Sequence, residues 1–184
     1  MELTVFLPIL AFVALVAGLF VVFRRTNRIV ARTRELEEFR VAVQDLAARI
    51  DQSLDGAAGR IDSVRHHELP ADALAETLTA ASDAVERYIE EAKALTPPSQ
   101  AKSIRHDIVG DLERAGRALS MVEHGATIMV AVRRGNRELE GQTSIKRGYL
   151  NLLHAREAIA RHAAMAGDPE AIPKDPQDVL RRSA

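Results

Sequence analysis

Apolar and polar residues divide the chain into one continuous apolar run and several stretches with helical periodicity. Residues 3–23 contain no charged side chain, and Arg24 and Arg25 follow at once. About 20 apolar residues in a helix are needed to cross a hydrocarbon core of roughly 30 Å. The run is too long for a cleaved signal peptide and lacks the polar stripe of a soluble helix. This pattern predicts a transmembrane anchor at residues 1–25.

Basic residues beside the run predict how it is oriented. None precedes it, whereas Arg24, Arg25 and Arg28 follow it closely. Because basic flanks stay on the cytoplasmic side, we expect a single-pass plasma-membrane protein with its N-terminus outside and the remainder cytoplasmic. The same three arginines are candidates for contacts with anionic headgroups at the membrane interface. Arg outnumbers Lys by 21 to 4, a usage typical of a GC-rich bacterial genome.

Beyond the anchor, apolar residues recur every three or four positions, as on one face of a helix. The pattern predicts a long juxtamembrane helix or coiled-coil stalk at residues 26–66 and three further helices at 71–95, 100–135 and 143–166. The residue before a proline disfavours the helical region, so Pro70 and Pro97 separate the first three. The Gly135-Asn136 pair is a typical helix C-cap, and Thr143 is a candidate N-cap. Residues 136–142 are interpreted either as a loop or as helix broken at Gly141.

These elements predict an all-α protein in which a transmembrane helix continues into an antiparallel, up-down bundle of about four helices. The tail at residues 167–184 holds three prolines and few apolar side chains, so we expect it to be disordered. Gly110, Gly116 and Gly125 lie inside the third helix. Each lowers helix propensity, so each marks either a close approach of two backbones or a weak point.

Composition excludes several classes of function. The chain carries 25 basic and 26 acidic residues, a balance that argues against nucleic acid as a main ligand. It has no cysteine, which excludes thiol catalysis and cysteine-bound metal. A di-iron bundle requires Glu-x-x-His, and none of the six histidines has Glu three residues earlier. We therefore predict a protein that is not an enzyme and that holds neither a cofactor nor a metal.

Residues 105–110, Arg-His-Asp-Ile-Val-Gly, resemble the phosphoacceptor box of one class of bacterial sensor histidine kinases. That resemblance implies an exposed helical face with His106 as phosphoacceptor in a signalling relay. His106 and His124 lie 18 residues apart, which is five helical turns, so they share one line on the third helix. Both histidines should face solvent, because this line lies opposite the apolar stripe.

A basic cluster brackets the connection between the third and fourth helices and is a candidate site for an anionic partner. The acidic start of the second helix, Asp72 and Glu76, should meet this end of the bundle. Two outcomes are open: the carboxylates neutralise the cluster through pairs that contribute about 0–1 kcal/mol each, or they point away and leave a positive patch. The cluster consists of Arg133, Arg134, Arg137, Lys146 and Arg147.

Apolar residues at the start of the stalk suggest self-association. The second helix is too short to return to Leu36, Phe39 and Val43, so these side chains should face water in a monomer. Exposed apolar stripes usually mark an interface, and we predict a parallel homodimer or partner helices along residues 30–45. The sequence thus predicts a non-catalytic membrane protein whose bundle binds an unknown protein partner or itself; the alternative is the phosphoacceptor bundle.

Overall fold

The computed structural model describes residues 3–131 and 137–167. It contains helices α1 (Leu3–Arg65), α2 (Ala75–Ala94), α3 (Lys102–Val130) and α4 (Glu138–Gly167), with short 3-10 helices at Ala71–Leu74 and Ser99–Ala101. No β-strand occurs in these two ranges, and the predicted all-α class is confirmed. The predicted disordered tail after Gly167 and the predicted Gly135-Asn136 cap lie outside the described residues.

The chain divides into two compact units, Met1–Glu38 and Phe39–Ala184. In the first unit the side chains of Leu19 and Phe20 are 69% and 64% exposed. Arg24 is also exposed. Nε of Arg34 donates to Oε1 of Glu38 at 2.9 Å, a pair one helical turn apart that supports the helix locally.

Among the residues that the structure describes, no helix combines the length and the apolar character needed to cross a membrane. Most side chains of the apolar run, those of residues 3–18 and 21–23, are not among the side chains described. The same holds for Arg25 and Arg28, two of the predicted headgroup contacts.

In the second unit, four helical segments form an antiparallel ring. Arg49 on α1 pairs with Glu91 on α2, and Arg60 donates to the carbonyl of Ala73, so residue numbers rise on one helix as they fall on the other. On α3 and α4, Gly125 lies against Gly141 and Ala118 lies against Gly148, so these two helices are also antiparallel. Helices α1 and α4 are antiparallel as well, because Arg40 contacts Gly167 and Asp51 contacts Arg156. The end of α2 lies at the start of α3, and its start lies beside the end of α3. The up-down order of the bundle is therefore the predicted one.

The core of the bundle is made of aliphatic side chains from all four helices. The largest fully buried side chains include Leu46, Ile61, Leu112, Leu119 and Leu152. Each lies on the apolar stripe predicted for its helix. Burial of a large aliphatic side chain contributes roughly 1.5–3 kcal/mol, so these stripes supply most of the stability of the fold.

Polar contacts fix how α1 sits against its neighbours. Nη2 of Arg156 on α4 lies 2.8 Å from Oδ1 of Asp51 and 3.0 Å from Oδ1 of Asp55. On the other side of α1, the hydroxyls of Ser53 and Tyr88 are 2.7 Å apart. Burial lowers and the two aspartates raise the pKa of Arg156, and the net shift is upward. These contacts set the register of α1 in addition to the apolar burial.

Two helix boundaries differ from the prediction. Helix α3 ends at Val130 rather than near residue 135, because the backbone becomes extended at Ala131 with φ −57° and ψ 132°. β-Branched residues such as Ile128 and Val130 lower helix propensity at this end. Helix α4 begins at Glu138 rather than at Thr143. Of residues 136–142, interpreted as either loop or helix, those from Glu138 onward are therefore helical, and Gly141 does not break the helix.

The expectation that Phe39 and Val43 face water in a monomer is wrong. Phe39 is 4% exposed and Val43 is fully buried, while Leu36 is half-buried. The expectation considered only the length of the second helix. The C-terminal end of α4 lies beside α1 here, because Arg40 donates to the carbonyl of Gly167. Phe39 and Val43 therefore belong to the core of the second unit and do not form the exposed stripe that was expected here. The interface along residues 30–45 stays a prediction.

Candidate functional site

Glycines let α3 and α4 approach each other with their backbones in contact. A Cβ on Gly125 would lie 2.7 Å from the carbonyl oxygen of Gly141 and 2.9 Å from the backbone nitrogen of Ile145. A Cβ on Gly148 would lie 2.7 Å from the carbonyl oxygen of Ala118. Of the two roles open for Gly125, close approach is the one found. A side chain at Gly125 or Gly148 would push the two helices apart, and Gly141 completes this glycine seam (Gly125, Gly141 and Gly148) with the carbonyl oxygen of Gly125 3.0 Å from its Cβ position.

A cleft of about 570 Å³ lies on the outer surface where α3 and α4 meet. Leu139, at the start of α4, is 72% exposed and forms part of its wall. The hydroxyl of Ser144 donates to the carbonyl of Met121 at 2.8 Å, which ties the cleft to the seam behind it. The lining residues of this α3–α4 cleft are Met121, His124, Leu139, Glu140, Thr143, Ser144 and Arg147.

The basic cluster is placed only in part. Arg133 and Arg134 lie outside the described residues, whereas Arg137, Lys146 and Arg147 are exposed. Nε of Arg137 lies 3.0 Å from Oε2 of Glu140. This hydrogen bond raises the pKa of Arg137 and lowers that of Glu140. Glu140 is therefore occupied within its own helix, and Arg147 supplies the positive charge of the α3–α4 cleft.

The acidic start of the second helix borders a different surface. Asp72 and Glu76 are exposed. Within residues 3–131 and 137–167 no ion pair joins either carboxylate to the described part of the basic cluster. For Arg133 and Arg134 the neutralisation stays a prediction.

A second depression, of about 490 Å³, runs between the start of α2 and the end of α3. Its floor is apolar, and Val130 on it is 48% exposed. Asp72 and Glu123 are its two acidic lining residues, and both are exposed. The residues lining this α2–α3 groove are Ala71, Asp72, Ala75, Leu78, Thr79, Glu123, Ala126, Thr127, Val130 and Ala131.

The histidine-aspartate pair of the phosphoacceptor resemblance lies on the outside of α3. His106 and Asp107 are both exposed, as is His124 five turns further along. Beside them, Nη1 of Arg105 donates to the carbonyl of Leu95 at 3.2 Å. The prediction that both histidines face solvent is confirmed. An exposed imidazole is accessible to a phosphoryl donor, which a buried one is not.

Asp111 on α3 is buried, with 1% of its surface exposed. Oδ2 of Asp111 lies 3.2 Å from Nε2 of His162 on α4, and Oδ1 lies 2.8 Å from Nη1 of Arg114. Neither contact has hydrogen-bond geometry, and both carboxylate oxygens lack a hydrogen-bond partner among the described residues. The contact between Asp111 and His162 joins α3 to α4 inside the bundle, and neither residue lines the cleft or the groove.

The contact between Asp111 and His162 was not predicted, although the sequence carries a signal for it. Asp111 follows the buried Ile108 by three residues and precedes the buried Ala115 by four, which places it beside the apolar stripe. His162 stands in the same relation to Ile159 and Ala166. A single polar residue beside the apolar stripe of one helix does not predict a contact. Two such residues, on helices predicted to be antiparallel neighbours, would have suggested that their side chains meet.

No group of three or more metal-binding side chains is present in the part of the chain that the structure describes. No protein-family model, curated protein or solved structure matches this chain.

Proposed function

We propose that this chain is a non-catalytic membrane protein, anchored by residues 3–23, whose cytoplasmic helical bundle binds a protein partner. The exposure of Leu19 and Phe20, 69% and 64%, carries the proposal. Large apolar side chains exposed side by side on a helix mark a surface that something else covers. In a run of 21 uncharged residues followed by two arginines, lipid is the covering that fits best.

Two features of the bundle support an interaction role. Its interior is filled by aliphatic side chains, which suits close packing more than a small-molecule pocket. Its outer surface carries the α3–α4 cleft and the α2–α3 groove, each bordered by an exposed apolar side chain, Leu139 or Val130. A rigid bundle with apolar depressions on its surface is typical of a protein-binding module.

Vesicle flotation tests the anchor. The full-length chain, reconstituted with phosphatidylcholine and phosphatidylglycerol, is expected to float with the vesicles and to resist extraction at alkaline pH. A variant carrying Leu10→Arg and Leu15→Arg should remain in the bottom fraction, since each arginine near the centre of a span costs about 2.5–3.5 kcal/mol. Leu139→Arg places the same charge on an exposed apolar residue of the bundle and should leave flotation unchanged. Equal flotation of the wild type and the double variant would contradict the anchor.

Orientation is tested with single cysteines, because the chain contains none of its own. In intact cells, a membrane-impermeant maleimide should label Glu2→Cys and should label Ser103→Cys, which is exposed on α3, only after lysis. The opposite pattern would place the bundle outside.

A second candidate function is phosphotransfer at His106, favoured by the exposure of His106 and Asp107. Incubation of the full-length chain with a radiolabelled phosphoryl donor, either acetyl phosphate or a histidine kinase, is expected to give acid-labile label that His106→Ala abolishes. His124→Ala is the matched control, since His124 is exposed on the same line of the same helix. Label that persists in His106→Ala would remove this function.

A further inference from the structure

Leu139 is an apolar knob at the end of the bundle where α3 and α4 are joined. It is 72% exposed, more than any other large apolar side chain whose exposure is described. It precedes Gly141, whose backbone touches Gly125, by two residues. Along the axis of the bundle, Leu139 therefore lies at the same position as the end of α3, close to Ala126 and Val130, which line the groove.

The α2–α3 groove lies at the same height on the other side of α3. Its floor is formed by small and aliphatic side chains, among them Ala75, Leu78 and Ala126. A groove of about 490 Å³ is large enough to admit a leucine side chain. One chain thus carries an exposed apolar knob and an apolar groove on opposite flanks of a single helix.

We propose that the partner of the bundle is a second copy of this chain, with Leu139 of each copy seated in the α2–α3 groove of the other. This inference deepens the proposed function and rests on it for the bundle being an interaction module. The dimer surface follows the exposed side of α3 near its C-terminal end, and not residues 30–45.

Charge supports a second copy as the occupant. The groove is lined by the carboxylates of Asp72 and Glu123, whereas the cleft beside Leu139 is lined by the guanidinium of Arg147. Glu140, the acidic residue of that cleft, is paired with Arg137, and Glu138 lines a different depression on the bundle. Arg147 of one copy therefore has a carboxylate partner available in the groove of the other, and complementary charge of this kind fixes register and partner choice.

Symmetry supports the same arrangement. When two copies face each other through α3 with their helices parallel, the α2 side of one lies opposite the α4 side of the other. A two-fold axis parallel to α3 therefore brings both grooves opposite both knobs in one operation, which closes the assembly as a dimer. An antiparallel pairing would instead set groove against groove.

Disulfide trapping between copies tests the contact. Two single-cysteine chains, Leu139→Cys and Thr127→Cys, are mixed at full length in detergent and oxidised. Thr127 is exposed and lines the groove, so we expect a disulfide that joins one chain of each kind. Ser103→Cys, exposed on the same helix but far from the groove, should not couple to Leu139→Cys above background. Equal coupling of both would overturn the proposal.

Charge exchange between copies gives an independent test. In the proposed dimer, Glu123 of each copy faces Arg147 of the other. Glu123→Arg alone places two arginines at each of these contacts, and Arg147→Glu alone places two glutamates there. Each variant should self-associate at least tenfold more weakly than the wild type in sedimentation equilibrium, since like-charge contacts cost several kcal/mol. A mixture of the two restores opposite charges at both contacts and should recover association.

Loss of association in the mixture as well as in the single variants, with helix content unchanged, would overturn the second-copy proposal. Because both experiments are performed in detergent, their outcome is separate from the flotation result. A failed anchor leaves the dimer testable, and a failed dimer leaves the anchor standing.

Discussion

Replacing Gly125 by alanine is expected to destabilise the bundle by about 2 kcal/mol, although alanine is the better helix former. The added Cβ would lie 2.7 Å from the carbonyl oxygen of Gly141 and 2.9 Å from the backbone nitrogen of Ile145. Both atoms belong to the backbone of α4, so no side-chain rotation relieves the clash and the helices must separate. Overpacking of this kind costs up to about 3 kcal/mol, and the gain of about 1 kcal/mol in helix propensity offsets only part of it.

Gly110→Ala on the same helix is the matched control. No heavy atom lies within 4 Å of a Cβ built on Gly110, so only the propensity term remains. We expect this variant to be more stable than the wild type by up to about 1 kcal/mol. Glycine-to-alanine substitution should thus change the free energy of unfolding in opposite directions at two positions of one helix. The difference between the two changes measures the effect of the contact with α4.

Tyrosine fluorescence during urea unfolding of the full-length chain measures both effects. The chain has no tryptophan and two tyrosines. Tyr88 contacts Ser53 of α1 and Tyr149 lies under the guanidinium of Arg65, so both report on the bundle. A Gly125→Ala variant as stable as Gly110→Ala would show that the helices are not in backbone contact there.

Periodicity predicted the helices and their buried faces because apolar burial is the dominant contribution to folding and repeats with the helix. Leu46, Leu78, Leu112 and Leu152 are buried on the stripes where they were expected. A stripe does not state which helix covers it. Phe39 was expected to be exposed for that reason, since the length of the second helix was considered and the end of α4 was not.

Glycine and buried charge were harder to predict because their roles depend on a neighbour distant in sequence. Gly141 suggested a break in the chain on propensity alone, yet it lies inside α4 against Gly125. The candidate sites show the same difference. The exposure of His106 was predicted correctly, because it depends only on the position of His106 relative to the apolar stripe of its own helix. The groove and the cleft could not be predicted in this way, because each is formed by two helices packed side by side.

Removal of His162 alone is expected to cost more stability than removal of both His162 and the buried Asp111. His162→Leu leaves the carboxylate of Asp111, 1% exposed, without the imidazole that lies 3.2 Å from its Oδ2. Leaving a buried polar or charged group without its partner costs about 1–3 kcal/mol or more. Arg114 still lies 2.8 Å from the carboxylate, so we expect a loss of about 2 kcal/mol.

Asp111→Leu together with His162→Leu should restore most of this stability, because an apolar pair needs no compensating charge and packs with the surrounding aliphatic core. Urea unfolding of the wild type, the two single variants and the double variant completes the cycle. We expect a coupling of at least 1.5 kcal/mol, well above the 0.3–0.5 kcal/mol within which independent sites add. Arg114→Ala is the control for the exposed partner, whose side chain is 63% exposed, and should change stability by no more than about 1 kcal/mol. Additive single variants would mean that Asp111 and His162 are neighbours in the bundle that do not stabilise each other.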